Sequence, residues 1–219
     1  GVECRRNPSG GMIRWIAFSA LLVWASLLSA QESLKFQGHL LIGGCAAQVH
    51  GDGISGFNKL GATAGIGLDV WRGDGDRRWS WDILYTQKGS RRVPNPKAGD
   101  YNTWRYRFTY LDLPVVRTWH FDTDWWFGLG LQPSVLLAGE EDFYQNGFTE
   151  LTYVDLRPWD IGGVVSAGIS WGEHFGLEAR LGQSLLPISE QPEQPIQRFD
   201  NFMMNMAVQF AVRWSMGEG

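Results

Sequence analysis

The sequence holds few cysteines and, after its first thirty residues, no long apolar run. Cys4 and Cys45 are the only cysteines among 219 residues, which excludes a disulfide-rich fold. No apolar stretch after Leu28 approaches the roughly 20 residues that a membrane-spanning helix needs. A membrane protein with this sequence would have to cross in strands closed into a barrel, because closure pairs every backbone hydrogen-bonding group.

Positive charge is also scarce. The chain has 19 lysines and arginines against 23 aspartates and glutamates, a net charge of -4 at pH 7. Proteins that bind nucleic acid neutralise phosphates with basic side chains, so this balance argues against nucleic acid as a partner. The four histidines show no metal-ligand spacing with one another or with a cysteine, so neither a metal nor a cofactor is expected.

The first thirty residues have the pattern of an export signal. Met12 is the expected start, Arg14 supplies a positive charge, and the apolar run 15–28 ends before Ser29 and Ala30, which resemble a cleavage site. The run is too short for a bilayer core that needs roughly 20 residues. We therefore expect an upstream, mis-started segment at 1–11, a signal peptide at 12–30 and an exported domain at 31–219.

Apolar and polar residues alternate with a period of two in eight segments of the exported domain. The last segment is the clearest, since its even positions from Phe202 to Trp214 are apolar, and the alternate positions from Asn205 to Arg213 are polar or small. This length suits a membrane strand of roughly 9–11 residues, and short connections alternate with long ones along the chain. The pattern predicts an all-β, eight-stranded antiparallel up-and-down transmembrane β-barrel. The alternative is a count of ten strands, which would apply if one of the long loops contains a hairpin.

The fourth segment, from Trp104 to Trp119, changes phase. Its aromatic residues from Trp104 to Tyr110 occupy even positions, whereas the aliphatic residues from Leu111 to Val115 occupy odd positions. A β-bulge near Tyr110 and Leu111 would bring both groups to the outward face.

Charged residues on the inward phase form the first candidate site. An eight-stranded barrel has room inside for side chains but not for a column of water, so these charges are expected to neutralise one another. A narrow proton or ion path is the alternative. The predicted interior charge network consists of Lys35, His39, Asp69, Asp82, Lys88, Arg105, Arg107, Asp112, Asp160, Glu178, Arg180 and Arg213, with Asp112 depending on the bulge.

Aromatic residues cluster at the strand ends next to the short connections. Rings of this kind form the interfacial girdle of a transmembrane barrel. Two of them, Trp71 and Trp126, fall on the inward phase of their strands, so their place in the girdle is less secure. The predicted girdle consists of Trp71, Trp79, Trp119, Trp125, Trp126, Trp171, Phe175 and Trp214.

The long loops carry charges of opposite sign. The second loop is basic at Arg91 and Arg92, and the third is acidic at Glu140, Glu141 and Asp142. We expect these residues to contact each other, lipopolysaccharide phosphates or a protein partner. An ordinary solvated loop surface is the alternative.

Catalytic chemistry has one weak candidate. His50 lies near Asp52 and Ser55 in the first long loop, and such a trio can act as base, orienting group and nucleophile. The same stretch is rich in turn-forming residues, and a polar loop is the better interpretation. We therefore predict no catalytic residue and no enzyme.

Three short motifs resemble the PorT-like outer-membrane β-barrel family. They are the loop 52–59 with its sequence DGISGFNK, Tyr85 with Lys88 and Gly89, and the element 110–114, which reads YLDLP where the family has YLEIP. The motifs keep the family's order along the chain.

This resemblance implies a location in the bacterial outer membrane and a β-barrel domain of the porin-like kind. The family's namesake is associated with a protein-secretion and gliding apparatus. A structural or interaction role, for example as a subunit of an envelope or secretion assembly, is therefore expected. The implied partners are outer-membrane lipid, lipopolysaccharide and other envelope proteins. A small-solute porin is the first alternative and an outer-membrane hydrolase the second.

Overall fold

The computed structural model describes residues 34–54, 56–73, 75–121, 124–151, 154–189 and 203–217. The predicted upstream segment and signal peptide lie outside the described residues, as does Ser55 of the loop trio. Most described residues are in antiparallel strands, because alternating apolar and polar positions give each strand one face for each environment. The strands are β1 (Leu34–His50), β2 (Lys59–Arg72), β3 (Arg77–Lys88), β4 (Arg91–Arg92), β5 (Trp104–Asp112), β6 (Val115–His120), β7 (Trp125–Phe143), β8 (Thr149–Glu150), β9 (Trp159–Trp171), β10 (Phe175–Ser184) and β11 (Met204–Ser215).

The strands close into a single barrel. β1 pairs with β2 on one side and with β11 on the other, and the remaining neighbours follow the order of the chain. β5 and β6 both pair with β3 and β7, so they are two halves of one barrel strand. The break falls at Leu113 and Pro114, where proline has no N–H for the ladder. In the described residues the only further strands in the long loops are the two-residue strands β4 and β8, and the loop after β3 also contains a short 3-10 helix, Pro96–Ala98. The prediction of eight barrel strands is therefore confirmed.

The two ends of the barrel differ in the length of their connections. Short turns follow β2, β6 and β9 at one end, which we call the turn end. Longer loops follow β1, β3, β7 and β10 at the other, which we call the loop end. β11 also reaches the turn end, where Ser215 pairs with His39 of β1.

The outer wall of the barrel is apolar and the inner wall is largely polar. Ile42 on β1 and Phe210 on β11 are 68% and 65% exposed, whereas Asp69 on β2 and Gln209 on β11 are buried. Large apolar side chains exposed in a continuous belt need an apolar surrounding. The wall is therefore built to contact lipid.

The predicted bulge near Tyr110 and Leu111 was wrong. Even-numbered residues of β5 and β6 point inward throughout, with no change of phase between them. The irregularity lies in β7, where Thr109 pairs with Ala138 and Tyr110 pairs with Leu136. Residue 137 is thus the extra residue, and the aromatic rings of β5 stay inside the barrel.

Candidate functional site: the filled lumen and the charged rims

A closed ring of hydrogen-bonded charges fills the turn-end half of the lumen. Asp82 accepts from Arg180, with 2.5 Å between Oδ2 and Nη2, and Arg180 also donates to Glu178 on its own strand. Glu178 accepts a hydrogen bond from Arg213, and Arg213 also donates to His39. His39 contacts Asp82, which closes the ring. We call His39, Asp82, Arg180, Glu178 and Arg213 the ion ring. All five are buried, and buried charges persist only when they are paired and hydrogen-bonded.

Geometry assigns the tautomer of His39 in the ion ring. Arg213 Nη2 lies 2.8 Å from His39 Nδ1, and a guanidinium can only donate, so Nδ1 is the acceptor. The hydrogen therefore sits on Nε2 and is donated to Asp82 Oδ1 at 2.7 Å. Asp69 of β2 contacts the ring as a third acceptor for Arg213, after Glu178 and His39. With Asp69 included, these contacts tie together side chains from five different strands, β1, β2, β3, β10 and β11.

Two tryptophans close the turn end of the lumen, which corrects the girdle prediction for both. Trp71 and Trp126 are 4% and 5% exposed and lie inside the barrel. Trp126 lies against Gly168, where a Cβ would meet its ring at 2.4 Å, and Arg213 lies over the same ring at 5.7 Å. Their indoles fill the narrow lumen because both residues occupy the inward phase of their strands.

The middle of the lumen is polar. Lys88 Nζ donates to Asp112 Oδ1 at 2.8 Å and lies 4.8 Å from the ring centre of Tyr110. Asp160 accepts from Ser184 at 2.7 Å. Lys88, Asp160 and Ser184 border a small cavity with room for about one water molecule. Asp112 is inward without the predicted bulge, because β5 keeps one phase throughout.

An apolar cluster closes the loop end of the lumen. Tyr106, Phe108 and Tyr110 project inward from β5 and are buried, and Tyr106 and Phe108 stack with 5.7 Å between ring centres. Ile188, from the chain after β10, is fully buried against them, and Met203 completes the contact. The sequence pattern did not indicate this cluster, because the predicted bulge turned these rings to the outward face.

Arg105 and Arg107 were wrongly assigned to the interior. They occupy the odd, outward phase of β5, and their side chains are 32% and 30% exposed. Arg107 binds Glu140 of β7 through Nε and Nη2, at 2.6 and 2.7 Å, and lies 3.8 Å from the ring centre of Phe148. Arg105 binds Asp142. Acidic residues of the predicted third loop therefore pair with arginines of β5.

The basic residues of the second loop are placed differently. Arg92 donates to Asp100 within the same loop at 2.7 Å, and this hydrogen bond holds the pKa of Asp100 below its usual value. Arg91 is exposed and lies opposite Arg105 in the β4–β5 ladder. Glu141 is buried at the loop end. Lys35, the remaining predicted interior charge, is half-buried near the turn end of β1.

The other predicted girdle residues lie on the outer wall at the turn end. Trp119 is half-buried and stacks on Phe127 with 6.3 Å between ring centres. Those that are exposed, with values between 39% and 56%, are Trp79, Trp125, Trp171, Phe175 and Trp214.

The candidate trio of the first loop is not assembled in the described residues. His50 contacts Gln48 at 3.2 Å, and Asp52 Oδ1 accepts from the backbone N–H of Ile54 at 2.8 Å, which is a turn-forming contact. Burial raises the pKa of Asp52.

In the described ranges, no three His, Cys, Asp or Glu side chains are grouped so that they could hold a metal ion. The same ranges contain no helix that is long and apolar enough to cross a membrane.

Comparison with known proteins gives one family match. The model of the family described as outer membrane protein beta-barrel domain matches residues 46–190. No curated protein matches the chain.

Three solved structures are similar to the chain at low identity. Ail, the attachment invasion locus protein of Yersinia pestis, solved with the heparin analogue sucrose octasulfate, is 9% identical with a TM-score of 0.47, over 83% of this chain and 99% of Ail. Neisserial surface protein A is 11% identical with a TM-score of 0.46, over 83% and 96% of the two chains. OprG from Pseudomonas aeruginosa is 11% identical with a TM-score of 0.34, over 84% and 95%.

The family match covers well over half of the 219 residues and includes every barrel strand from the end of β1 to β10. The chain therefore belongs to the outer membrane protein beta-barrel domain family and is a β-barrel protein of the bacterial outer membrane.

Proposed function

We propose that the protein is a structural or interaction barrel whose partners bind its outer surface. The observation that carries this proposal is the filled lumen. Trp71 and Trp126 occupy the turn end, the ion ring the next layer, and Phe108 with Ile188 the loop end. Side chains packed at these three levels of the described lumen oppose a continuous water path, so the loops and rims are the surfaces that remain available for function.

The loop end offers a specific surface for a protein partner. Tyr101 and Tyr144 are 72% and 65% exposed, and the backbone N–H of Tyr144 donates to Thr103 O at 3.1 Å, which ties the two loops together. Tyr144 and Gln145 both have positive φ, of 58° and 63°. Strained loop tips and exposed tyrosines are frequent in binding sites. We assign the partner contact to this surface, with other envelope proteins as the expected partners.

Membership of the PorT-like group is part of the same proposal. The second and third matching motifs are neighbours in the barrel, since Tyr85 pairs with Leu111 and Lys88 binds Asp112. Elements that resemble a family pattern and also contact one another support a shared local structure. A subunit role in an envelope or secretion assembly, and export with cleavage of the leader at 12–30, follow from this group.

Absence of catalysis also belongs to the proposal. Asp52 is engaged with the backbone of its own turn, and His50 contacts Gln48. Lipid and peptide hydrolysis are expected to be at background in the wild type and to stay there in His50→Ala. A measured hydrolysis that disappears in His50→Ala would establish the hydrolase alternative.

Two measurements test the interaction role. First, the folded protein in planar bilayers should give no unitary conductance above a protein-free bilayer; steady conductance would favour the small-solute porin. Second, envelope proteins that co-purify with the tagged protein should be lost with Tyr101→Ala and Tyr144→Ala. The matched control is Phe121→Ala, which removes an aromatic residue that is 60% exposed at the opposite end of the barrel. Equal retention by all variants would contradict the proposed surface.

A further inference from the structure

An arginine lies on the lipid-facing wall of the barrel near the turn end. Arg117 occupies the outward phase of β6, directly opposite Trp79 of β3 on one side and Leu129 of β7 on the other. Its guanidinium lies 5.2 Å from the centre of the Trp79 ring. Both flanking side chains are exposed on the apolar wall. Arg117 is thus a permanent positive charge in a belt that otherwise contacts lipid.

Two further arginines lie on the same side of the turn end. Arg77 begins β3 opposite Trp119, and Arg72 ends β2 on the outward phase of that strand. Both are exposed. None of Arg72, Arg77 and Arg117 forms an ion pair with a carboxylate of the described residues. We call these three arginines, with Trp79 and Trp119, the basic girdle patch.

Position in the membrane determines what this patch can bind. An arginine on the lipid face costs about 2–4 kcal/mol at the bilayer midplane and about 0–1 near the interface. Arginine lowers this cost by laying its alkyl stem along apolar side chains and directing its head to the interface. Tryptophan prefers the same level. The guanidinium of Arg117 must therefore reach the layer of lipid headgroups, where phosphates are the available anions.

The two arginines of β5 on the wall at the opposite rim are already paired. Arg105 and Arg107 also point outward, but Asp142 and Glu140 already bind them. Among the described residues no carboxylate pairs with an arginine of the basic girdle patch, and guanidinium groups match phosphate with two parallel hydrogen bonds. Outer-membrane barrels place their short turns on the periplasmic side, so the patch faces the inner leaflet.

We propose that the basic girdle patch binds the headgroup of an anionic phospholipid in the periplasmic leaflet. Arg117 contacts the phosphate from the wall, and Arg72 and Arg77 contact it from the turn below. Trp79 and Trp119 pack against the glycerol and upper acyl region. This site is separate from the loop-end surface proposed above, so either can fail without the other.

The test measures lipid retention by the folded full chain in detergent micelles. Dioleoylphosphatidylglycerol and dioleoylphosphatidylcholine are added in equal amounts, and bound lipid is counted by native mass spectrometry. The wild type should retain phosphatidylglycerol in preference. In Arg72→Gln/Arg77→Gln/Arg117→Gln this preference should fall about tenfold or more. The control Arg91→Gln/Arg92→Gln/Lys97→Gln removes the same charge at the loop end and should keep the preference.

Each other outcome overturns the proposal. No preference in the wild type means that no headgroup site exists, and an equal loss in the control means that total charge decides retention. Inorganic phosphate at the same concentration should not displace the lipid; full displacement would identify a free-phosphate site. Folding of each variant is checked by heat-modifiable migration on a gel. If the triple variant does not fold, Arg117→Gln alone is measured, and an unchanged preference for phosphatidylglycerol in that variant contradicts the proposed site.

Discussion

Arg180 of β10 donates a hydrogen bond to Asp82 of β3 across the lumen, with 2.5 Å between the two atoms. The two strands are not neighbours in the sheet, since β2, β1 and β11 lie between them. Backbone ladders connect only adjacent strands, whereas this contact connects opposite walls. The ion ring therefore acts as an internal brace, and its strength depends on every member being paired.

Replacing one carboxylate of the ring should destabilise the barrel strongly. Asp82→Asn leaves Arg180 and His39 without the charged acceptor that both contact. Breaking a buried pair by removing one partner costs about 3–5 kcal/mol. The measurement is the free energy of unfolding in urea with the protein in micelles, followed by tryptophan fluorescence. Asp155→Asn, at an exposed loop position, is the control and should change little.

Coupling between the two partners can be measured directly. Arg180→Gln alone should also be costly, and the double variant with Asp82→Asn should lose less than the two single losses combined, because the second change removes a charge already left unpaired. Losses that simply add would show that the two side chains do not act together.

Two adjacent tryptophans provide a second test because they face opposite sides of the wall. Trp126 is buried in the lumen, whereas Trp125 is 56% exposed on the outer wall. Trp126→Ala opens a cavity and should cost about 3–5 kcal/mol. Trp125→Ala should shift the unfolding midpoint far less in micelles, where detergent replaces its contacts. A larger effect at Trp125 would contradict the inward placement of Trp126.

Alternation predicted the barrel well wherever polarity differs between the two faces of a strand. β11 is the best case, since Phe210 and Trp214 face outward while Gln209 and Arg213 face inward. The predicted orientation of β5 was wrong because both faces of this strand carry large side chains, and a ring such as Phe108 packs in the lumen as readily as against lipid. A narrow barrel accepts aromatic rings as well as ion pairs, so residue type no longer indicates the face.

A second source of error was the treatment of arginine as an interior residue. Arg107 was assigned to the lumen because its aromatic neighbours were placed outside. In the structure the aromatic residues face the lumen and Arg107 faces outward, so both assignments were wrong for the same reason. The outward orientation of Arg117 followed from the predicted outward orientation of Val115, because residues two positions apart on a strand face the same side. Its partners were not predictable, because Trp79 and Leu129 come from strands distant in sequence and their register appears only in the folded barrel.

Cys45 provides a simple measure of whether the lumen is closed. The thiol is inward on β1, buried, and donates to Gln87 O at 3.0 Å. Folded protein in micelles should therefore resist a polar maleimide, whereas urea-unfolded protein should react at the rate of a free thiol. The comparison is Ala46→Cys in a Cys45→Ser background, which places the single thiol on the outward face of β1 instead of the inward face. Rapid labelling of folded Cys45 would show that water reaches this depth of the lumen.

The pair of Arg107 and Glu140 should stabilise the loop-end rim modestly and depend on the shape of the guanidinium. Two hydrogen bonds to Glu140 and the ring of Phe148 hold Arg107 in place. Both charged side chains are about three-tenths exposed, so solvent screens the pair and its coupling should lie near 1 kcal/mol.

Lysine at position 107 separates charge from shape, because it keeps the positive charge but loses the planar fork and the stacking on Phe148. Arg107→Lys should therefore lose most of the stability that Arg107→Gln loses, as measured by the unfolding midpoint in micelles. It should also lower the coupling with Glu140→Gln in a double-mutant cycle. Phe148→Leu tests the stacking separately and should reduce stability only in chains that retain Arg107. If Arg107→Lys were as stable as the wild type, charge alone would account for the contact and the fork geometry would have no role.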